Sequence, residues 1–405
     1  MALTDYKPQF DNAYQEVFQK TLVAKDIMNT RFEAILKFGA SVERVAYDIS
    51  AVLVRDVTRG AASTIDAITD SSELLTVNLE KEAAFHISDG EAIQTGSLNP
   101  GEVIGKQVGI KVAIDLDGKC FAEVANALFS FDNGDLTTGE STGTPITLSA
   151  TTVPQMTTRL GAKLRNKNNQ EVMTNMCLVV DSYAASDISQ FIISKNIDLA
   201  GSVFKNGYAG DVSMAQMYIS ENLTSTAVMS IATNPTADDT FSINGVTWTF
   251  KAAPSAAGQI DIGADVDATR VLVAAAIGNT NDYAAGEGAA AAYFEVSAAD
   301  RALIAGVTAV DSASANTTTV TGVGTGRLTV AETFTAGADV WSLNFLNAYY
   351  GKKGAIDLVI QDMKPVDMRV TSDRRGTNVF SSYLAGIKTF ADGAKKFLNV
   401  KILVA

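Results

Sequence analysis

The 405-residue chain contains a single histidine, His86. That excludes a zinc site built on several histidines, and any acid–base chemistry through imidazole would rest on this one side chain. Cysteine is nearly as scarce. Cys120 and Cys177 are too few for a disulfide framework and fit a reducing interior. Charged residues make up 19% and apolar residues 47%, which excludes a disordered chain, since disorder requires low hydrophobicity and high charge. No apolar run approaches the ~18 residues of a membrane helix. The stretch MALTDYKPQFDNAYQEVF has no charged head followed by an apolar run, so no secretory signal is expected in it. Lys and Arg total 32 against 45 Asp and Glu, a net charge of −13, and no basic footprint for sequence-specific nucleic-acid binding is visible.

Chemistry-bearing patterns are equally sparse. GKKG at 351–354 lacks the spacing and the Ser or Thr of a phosphate loop. Gly322-x-Gly324-x-Gly326 lacks a strand–turn–helix context and reads as a flexible turn. His86 lies in the apolar run AAFHIS and reads as a packed strand residue. Asp261, Asp265 and Asp267 do not match an EF-hand loop and read as a solvated face or helix cap. Cys120 and Cys177 fall on apolar faces as inert core residues, and Met173, Met176, Met214 and Met217 read as packing. No catalytic, cofactor-binding or metal-ligating residue is assigned, and no enzyme is expected.

What the sequence does contain is pattern. Residues 12–38 predict one helix, with Tyr14, Val17, Phe18, Thr21, Lys25, Met28, Phe32 and Ile35 at steps of three and four and Gly39 as its stop. Residues 41–88 predict two long strands, SVERVAYDISAVLVRD and ELLTVNLEKEAAFHI, around a polar tip at 58–72. Ile104, Val108, Val112, Leu116, Cys120, Val124 and Leu128 form an i, i+4 ladder and predict a long helix over 101–129. The rival is a hairpin, in which Ile110, Val112, Ile114 and Leu116 alternate before Asp117-Gly118; Gly118 is the weak point of the helix. Residues 132–150 read as a loop, and Thr151 or Thr152 as the cap of a helix reaching Lys167. MCLVV at 176–180 reads as a buried strand, 184–194 as a helix, and Gly207 and Gly210 as flanking a turn before a strand at 214–220.

At residue 224 the composition changes. Residues 224–345 are rich in Ala, Thr, Gly and Ser and hold four basic against twelve acidic residues, 4 − 12 = −8. Both tryptophans, Trp248 and Trp341, lie there. Asn244-Gly245 predicts a hairpin, Asp265 or Asp267 starts a helix through Ile277, and TTTVTGVG and RLTVAETF read as strands. This is expected to be a separate α+β module. AIDLVI, VDMRVTSD, NVFSSYLAGIKTF and KKFLNVKILVA then read as closing strands.

The order of these parts resembles the major capsid proteins of tailed bacteriophages of the Hong-Kong-97-type fold, with an inserted domain. FGASVERVAYDIS and ELLTVNLEKEAAFHISDGEAIQTG are similar to extended-loop strands leading into the spine helix. TTVPQMTTRLGAKLRNKNNQEVMTNMCLVVDS is similar to the opening of the axial domain, KNGYAGDVSMAQMYISENL to a Gly-containing strand segment, and SSYLAGIKTFADGAKKFLNVKILV to the closing strands. The resemblance implies an α+β chain with an N-terminal arm (1–40), an extended hairpin loop (41–96), a spine helix (97–131), a first part of the peripheral and axial domains (132–223), an inserted domain (224–345) and closing strands (346–405). It implies hexamers and pentamers of this chain forming an icosahedral or elongated shell around double-stranded DNA. A separate scaffolding protein, a portal and a decoration protein would be its partners, with no cofactor and no membrane. Assembly would take place in the host bacterial cytoplasm. Lys81 is the position in the second hairpin strand where a cross-linking lysine could sit, and an ordinary solvated lysine is the simpler reading. The alternatives are an encapsulin-like compartment shell, or a secreted or surface β-rich binding protein suggested by the 224–345 composition.

Overall fold

The computed structural model describes residues 7–36, 39–48, 69–87, 100–167, 174–195, 208–212, 215–278, 293–337, 339–370 and 376–404, with single positions between 52 and 68. The chain starts with helix α1 (Lys7–Thr21), the one-turn α2 (Ala24–Ile27) and strands β1 (Ser41–Asp48), β2 (Thr69–Thr76) and β3 (Leu79–Ile87). The long α3 (Pro100–Ala122) follows, then β4 (Phe129–Phe131), α4 (Asn133–Thr137), α5 (Thr152–Lys167), β5 (Met176–Val180) and α6 (Ser182–Lys195). Next come β6 (Tyr208–Val212), β7 (Ala215–Ile219), β8 (Thr224–Ser230), β9 (Thr240–Ile243), β10 (Val246–Lys251), β11 (Gln259–Asp261) and α7 (Val266–Gly278). Then α8 (Ala298–Leu303), β12 (Val307–Ser312), β13 (Thr317–Gly322) and β14 (Val330–Glu332) precede β15 (Val340–Lys352), β16 (Asp357–Val370), β17 (Thr377–Lys388), α9 (Ala391–Ala394) and β18 (Phe397–Leu403). The chain divides into two units, Met1–Ala113 with Lys353–Lys396, and Ile114–Lys352 with Phe397–Ala405.

In the first unit β1 and β2 form a two-stranded antiparallel ribbon, in register from Ser41 opposite Thr76 to Asp48 opposite Thr69. β16, β17 and β3 form a three-stranded antiparallel sheet. Three sequence expectations fail here. The single helix over 12–38 breaks first at Leu22–Val23, between α1 and α2, and cannot resume past α2 because the backbone of Asn29 is taken by the start of β16: its N–H donates to the Ile356 carbonyl at 2.9 Å and its carbonyl accepts from Leu358 at 3.0 Å. Those bonds replace the i, i−4 bonds a continuing helix needs. The second long strand also breaks, at Val77–Asn78. Residues 69–76 pair with β1 and residues 79–87 pair with β17, so one straight ladder cannot serve both. AIDLVI and VDMRV, by contrast, join into the single β16, whose register shifts across Gln361 and across Pro365–Val366. A proline lacks the ladder donor and is tolerated at such an irregularity.

α3 settles the helix-or-hairpin choice. Val108, Val112, Leu116, Cys120 and Val124 are buried, while Ile110 and Ile114, which alternation would place beside Val112, are 39% and 37% exposed. The helix tightens to a 3-10 turn at Glu123–Asn126, and Leu128 leaves the ladder and is exposed.

The second unit carries a nine-stranded sheet, β12-β13-β8-β15-β5-β7-β6, in which β18 pairs with β15 and with β4. A four-stranded sheet, β11-β10-β9-β14, accompanies it. β15, unread in the sequence, passes between two cores: Val340–Asn347 pair with β8 and Tyr349–Lys352 with β5. One core gathers Val153, Met156, Leu160 and Leu164 of α5 with the fully buried β5 and with β18. The other consists of residues from 227 to 341, among them Phe241, Trp248, Phe250 and Val273. The expected turn around Gly207 and Gly210 is corrected, because Gly210 lies inside β6, where the register is irregular between Tyr208 and Asp211. The cap of α5 is also corrected: the Ser149 hydroxyl accepts from the N–H groups of Thr151 and Thr152 at 3.3 and 3.1 Å.

Candidate assembly surfaces

Alternation along the β1–β2 ribbon separates two faces. Val42 opposes Leu75 and Arg44 opposes Glu73 on one face; Glu43 opposes Leu74 and Val45 opposes Ser72 on the other. The first face is anchored. Leu75 is buried with Leu36, Val359 and Phe390, and Val42 packs against the same group. The Arg44 guanidinium lies 5.1 Å from the Phe390 ring centroid and 2.6 Å from the Asp392 carboxylate, and Glu73 accepts from the Ala391 N–H at 2.9 Å. Burial alone would raise the Asp392 carboxyl, but Lys396 and Arg44 outweigh it and hold it below its usual value. Asp357, accepting from Asn29, is raised by its burial despite that bond and the nearby Arg31 and Arg44. The second face is open: Val45 is 48% and Leu74 52% exposed, and Ile65 beyond the ribbon is 92% exposed. Near the tip Arg55 grips Asp66 with two bonds of 2.7 and 2.8 Å. The expected tip at 58–72 is corrected at its far end, where 69–72 already pair with β1 as strand, and residues 58, 60–64 and 67 lie outside the described residues.

The 224–345 segment answers three of its basic residues internally and the fourth with a partner outside it. All four of its basic residues are ion-paired: Lys251 with Asp238, Arg270 with Asp267 and Asp311, Arg301 with Glu295, and Arg327 with Asp181. Arg270 is fully buried and also donates to the Ile231 carbonyl at 3.2 Å. Two buried acids tie loops instead. Asp339 accepts from the N–H groups of Ala232 and Thr233 at 2.7 and 3.0 Å and from the Thr233 hydroxyl at 2.8 Å. Asp239 accepts from the Thr236 and Thr335 N–H groups at 2.7 and 3.0 Å. The Asn244-Gly245 hairpin forms as read, with φ of 51° and 82°. Asp282 and Glu287 lie outside the described residues.

His86 Nδ1 sits 2.7 Å from Asn378 Oδ1 across the β3–β17 pair. Lys81, on β3, is exposed and lies opposite Tyr383. Asp265 caps α7 by accepting from Ala268 at 2.8 Å, Asp267 pairs with Arg270, and Asp261 ends β11, so the three do not converge on one point. Among the described residues no group of three His, Cys, Asp or Glu side chains is placed to hold a metal ion. Both cysteines are buried, and burial, with Asp117 and Glu123 adding to it, pushes the Cys120 thiol well up. Met176 and Met217 belong to the core, while Met173 and Met214 fall outside the described residues. In GKKG, Gly351 and Lys352 close β15 and Gly354 takes a turn conformation.

One polar cluster went unread. Residues 132–150 are not all loop: Asp132 caps α4 and forms a reciprocal capping box with Asp135. Asp135 then pairs with Lys163 of α5 and accepts from the Ser141 hydroxyl at 3.0 Å. The Asp132-x-x-Asp135 spacing was its sequence signal.

No protein-family model and no curated protein matches the chain. Solved structures do align with it at low identity. "Mycobacterium phage Che8" covers 93% of this chain and 90% of its own at 12% identity and a TM-score of 0.47. "Asymmetric unit of bacteriophage PhiM1 mature capsid" covers 90% and 82% at 11% identity and a TM-score of 0.44. "Capsid of Ralstonia phage GP4" covers 93% and 87% at 7% identity and a TM-score of 0.42.

Proposed function

We propose that this chain is a shell-forming structural protein, the major capsid protein of a tailed bacteriophage with the Hong-Kong-97-type fold, and that it catalyses no reaction. The observation that carries the reading is the β1–β2 ribbon. An isolated two-stranded ribbon is marginal in water, and this one is fastened along one face while Val45 and Leu74 stay open on the other. Such a surface suits a neighbouring copy. Repeated head-to-tail contacts between identical chains generate closed rings or extended lattices. The order of helix, ribbon, long helix, mixed sheet, inserted segment and closing strands supports the same reading.

In this reading residues 1–40 are the arm and 41–96 the extended loop, with β3 tied into the closing strands. Residues 97–131 are the spine, 132–223 and 346–405 the peripheral and axial parts, and 224–345 the inserted domain. The copies form hexamers and pentamers of a virion shell assembled in the host bacterial cytoplasm. The shell holds double-stranded DNA by confinement, so a basic patch is not needed. A scaffolding protein, a portal and a decoration protein are the other partners, and the segment with a charge of −8 faces outward, away from phosphate. Negative-stain microscopy of the purified full chain tests the reading. Shells, hexamers or pentamers are expected, and a uniform monomer at every concentration would overturn it.

A further inference from the structure

The glycine triplet that offers no phosphate loop has a different use. A Cβ on Gly118, in the second half of α3, would lie 2.6 Å from the Gly324 Cα; one on Gly324 would lie 2.9 Å from the Gly118 Cα. Gly324 and Gly326 adopt φ of 67° and 63°, where a side chain would be strained. Two positions on, a Cβ at Gly326 would meet the Glu221 carbonyl oxygen at 2.6 Å. The Gly326 N–H donates to the Leu223 carbonyl at 3.1 Å, and the Ser225 hydroxyl donates to the Gly326 carbonyl. Arg327 closes the row by pairing with the fully buried Asp181. The chain enters the 224–345 segment beside this loop. It leaves at Asn347, whose amide donates to the Thr224 carbonyl at 3.1 Å and accepts from Asn399 at 2.9 Å.

We propose that Gly322–Arg327 is a backbone clamp that fixes the 224–345 segment to α3, so that the segment moves with the helix instead of swinging on β8 and β15. Two adjacent paired strands define an axis about which a module can rock. A third attachment off that axis removes the rocking. Backbone against backbone at van der Waals distance leaves no side-chain rotamer to absorb a shift. The inference stands on contacts within one chain, whether or not copies assemble. If they do, a displacement of α3 is passed to the segment undiminished.

Gly118→Ala in the full chain tests this by its sign. In an unobstructed helix the change raises helix propensity and protects the region. Against the clamp, the new methyl displaces Gly324. Hydrogen exchange at the amides of 322–327 should then accelerate about tenfold, while exchange in β9 and β10 and the emission of Trp248 and Trp341 stay as in the parent. Arg327→Gln, which adds nothing to the helix, should accelerate the same amides by a smaller factor, and it decides the matter if Gly118→Ala does not fold. Gly139→Ala is the control for strain alone, since Gly139 has φ 83° and open space around it; the 322–327 amides should not respond. Unchanged or slowed exchange at 322–327 in Gly118→Ala overturns the clamp. Loss of the tryptophan emission in step with the faster exchange also overturns it, because the loop would then be part of the segment's own core.

Discussion

The β1–β2 ribbon and the 224–345 segment solve the problem of a long excursion from the main chain in opposite ways. The segment builds an interior of its own: Phe241 and Trp248 stack at 5.1 Å, Arg270 is buried with its charge answered, and Asp239 and Asp339 are saturated by N–H groups. The ribbon buries little beyond Leu75 and leaves an apolar face outside. One excursion thus hides its apolar side chains behind answered polar groups, while the other keeps apolar side chains at its surface, and the proposed assembly role rests on that surface.

The comparison breaks first at the segment's interior. Trp248→Ala removes a side chain that is 1% exposed, and such truncations cost about 3–5 kcal/mol. The expected outcome is protease sensitivity confined to 224–345, with the ribbon's exchange rates unchanged. Asp339→Ala should cost about 1–3 kcal/mol, because the buried carboxylate's hydrogen bonds from two N–H groups and a hydroxyl are all lost, and bonds to a charged group are the stronger kind. Thermal unfolding followed by Trp341 emission measures it.

The ribbon's anchor should respond to pH. Asp392 is depressed, so its contribution is complete above the unfolded carboxyl value and is lost as pH falls through the lower folded value. Asp357 is raised, so its contribution is present at low pH and is lost as pH rises through the raised value. Asp392→Asn should therefore lower the unfolding midpoint at neutral pH and flatten the acid limb, whereas Asp357→Asn should raise the midpoint at neutral pH. Since the Arg44–Asp392 pair is about a third exposed, the effect should stay below ~1 kcal/mol. The smallest effect on the isolated chain belongs to Leu74→Asp, within about 0.5 kcal/mol at an exposed site. Its effect on association should be the largest of all. Microscopy showing normal shells from Leu74→Asp would refute the assignment of that face to a neighbour.

Features governed by local chemistry were legible in the sequence. The period of α3, the Asn244-Gly245 turn, the Asp265 cap and the buried β5 depend on residues a few positions apart. Failures came where a distant partner decided. Nothing near Asn29 announces that Asp357 and its neighbours will take its backbone, and nothing near Val77 says that β2 and β3 have different partners. β15 went unread because its polar residues suggested no strand: Asn344 donates to the Leu328 carbonyl and Asn347 binds Thr224, so its amides are tied to other strands and loops instead of facing water. Gly118 looked like a flaw in a helix until its partner at Gly324 was visible. The surface assigned to assembly was legible as a long hairpin, but which of its faces stays open required the register.

β18 carries a temporal consequence. It lies between β15 and β4, in parallel register with Phe129–Phe131, although β4 is made far earlier during translation. Until Phe397–Leu403 emerges, one edge each of β15 and β4 lacks its partner, and long-range pairing of this kind is slow and prone to aggregation. The ribosome therefore cannot release a finished building block piecemeal; the interior closes after synthesis of β18. Nascent chains stalled before residue 397 should be cleaved readily by protease in β4 and β15, and full-length chains stalled on an added C-terminal linker that brings β18 clear of the ribosome should resist. Equal resistance in both would show that the sheet closes without its late strand.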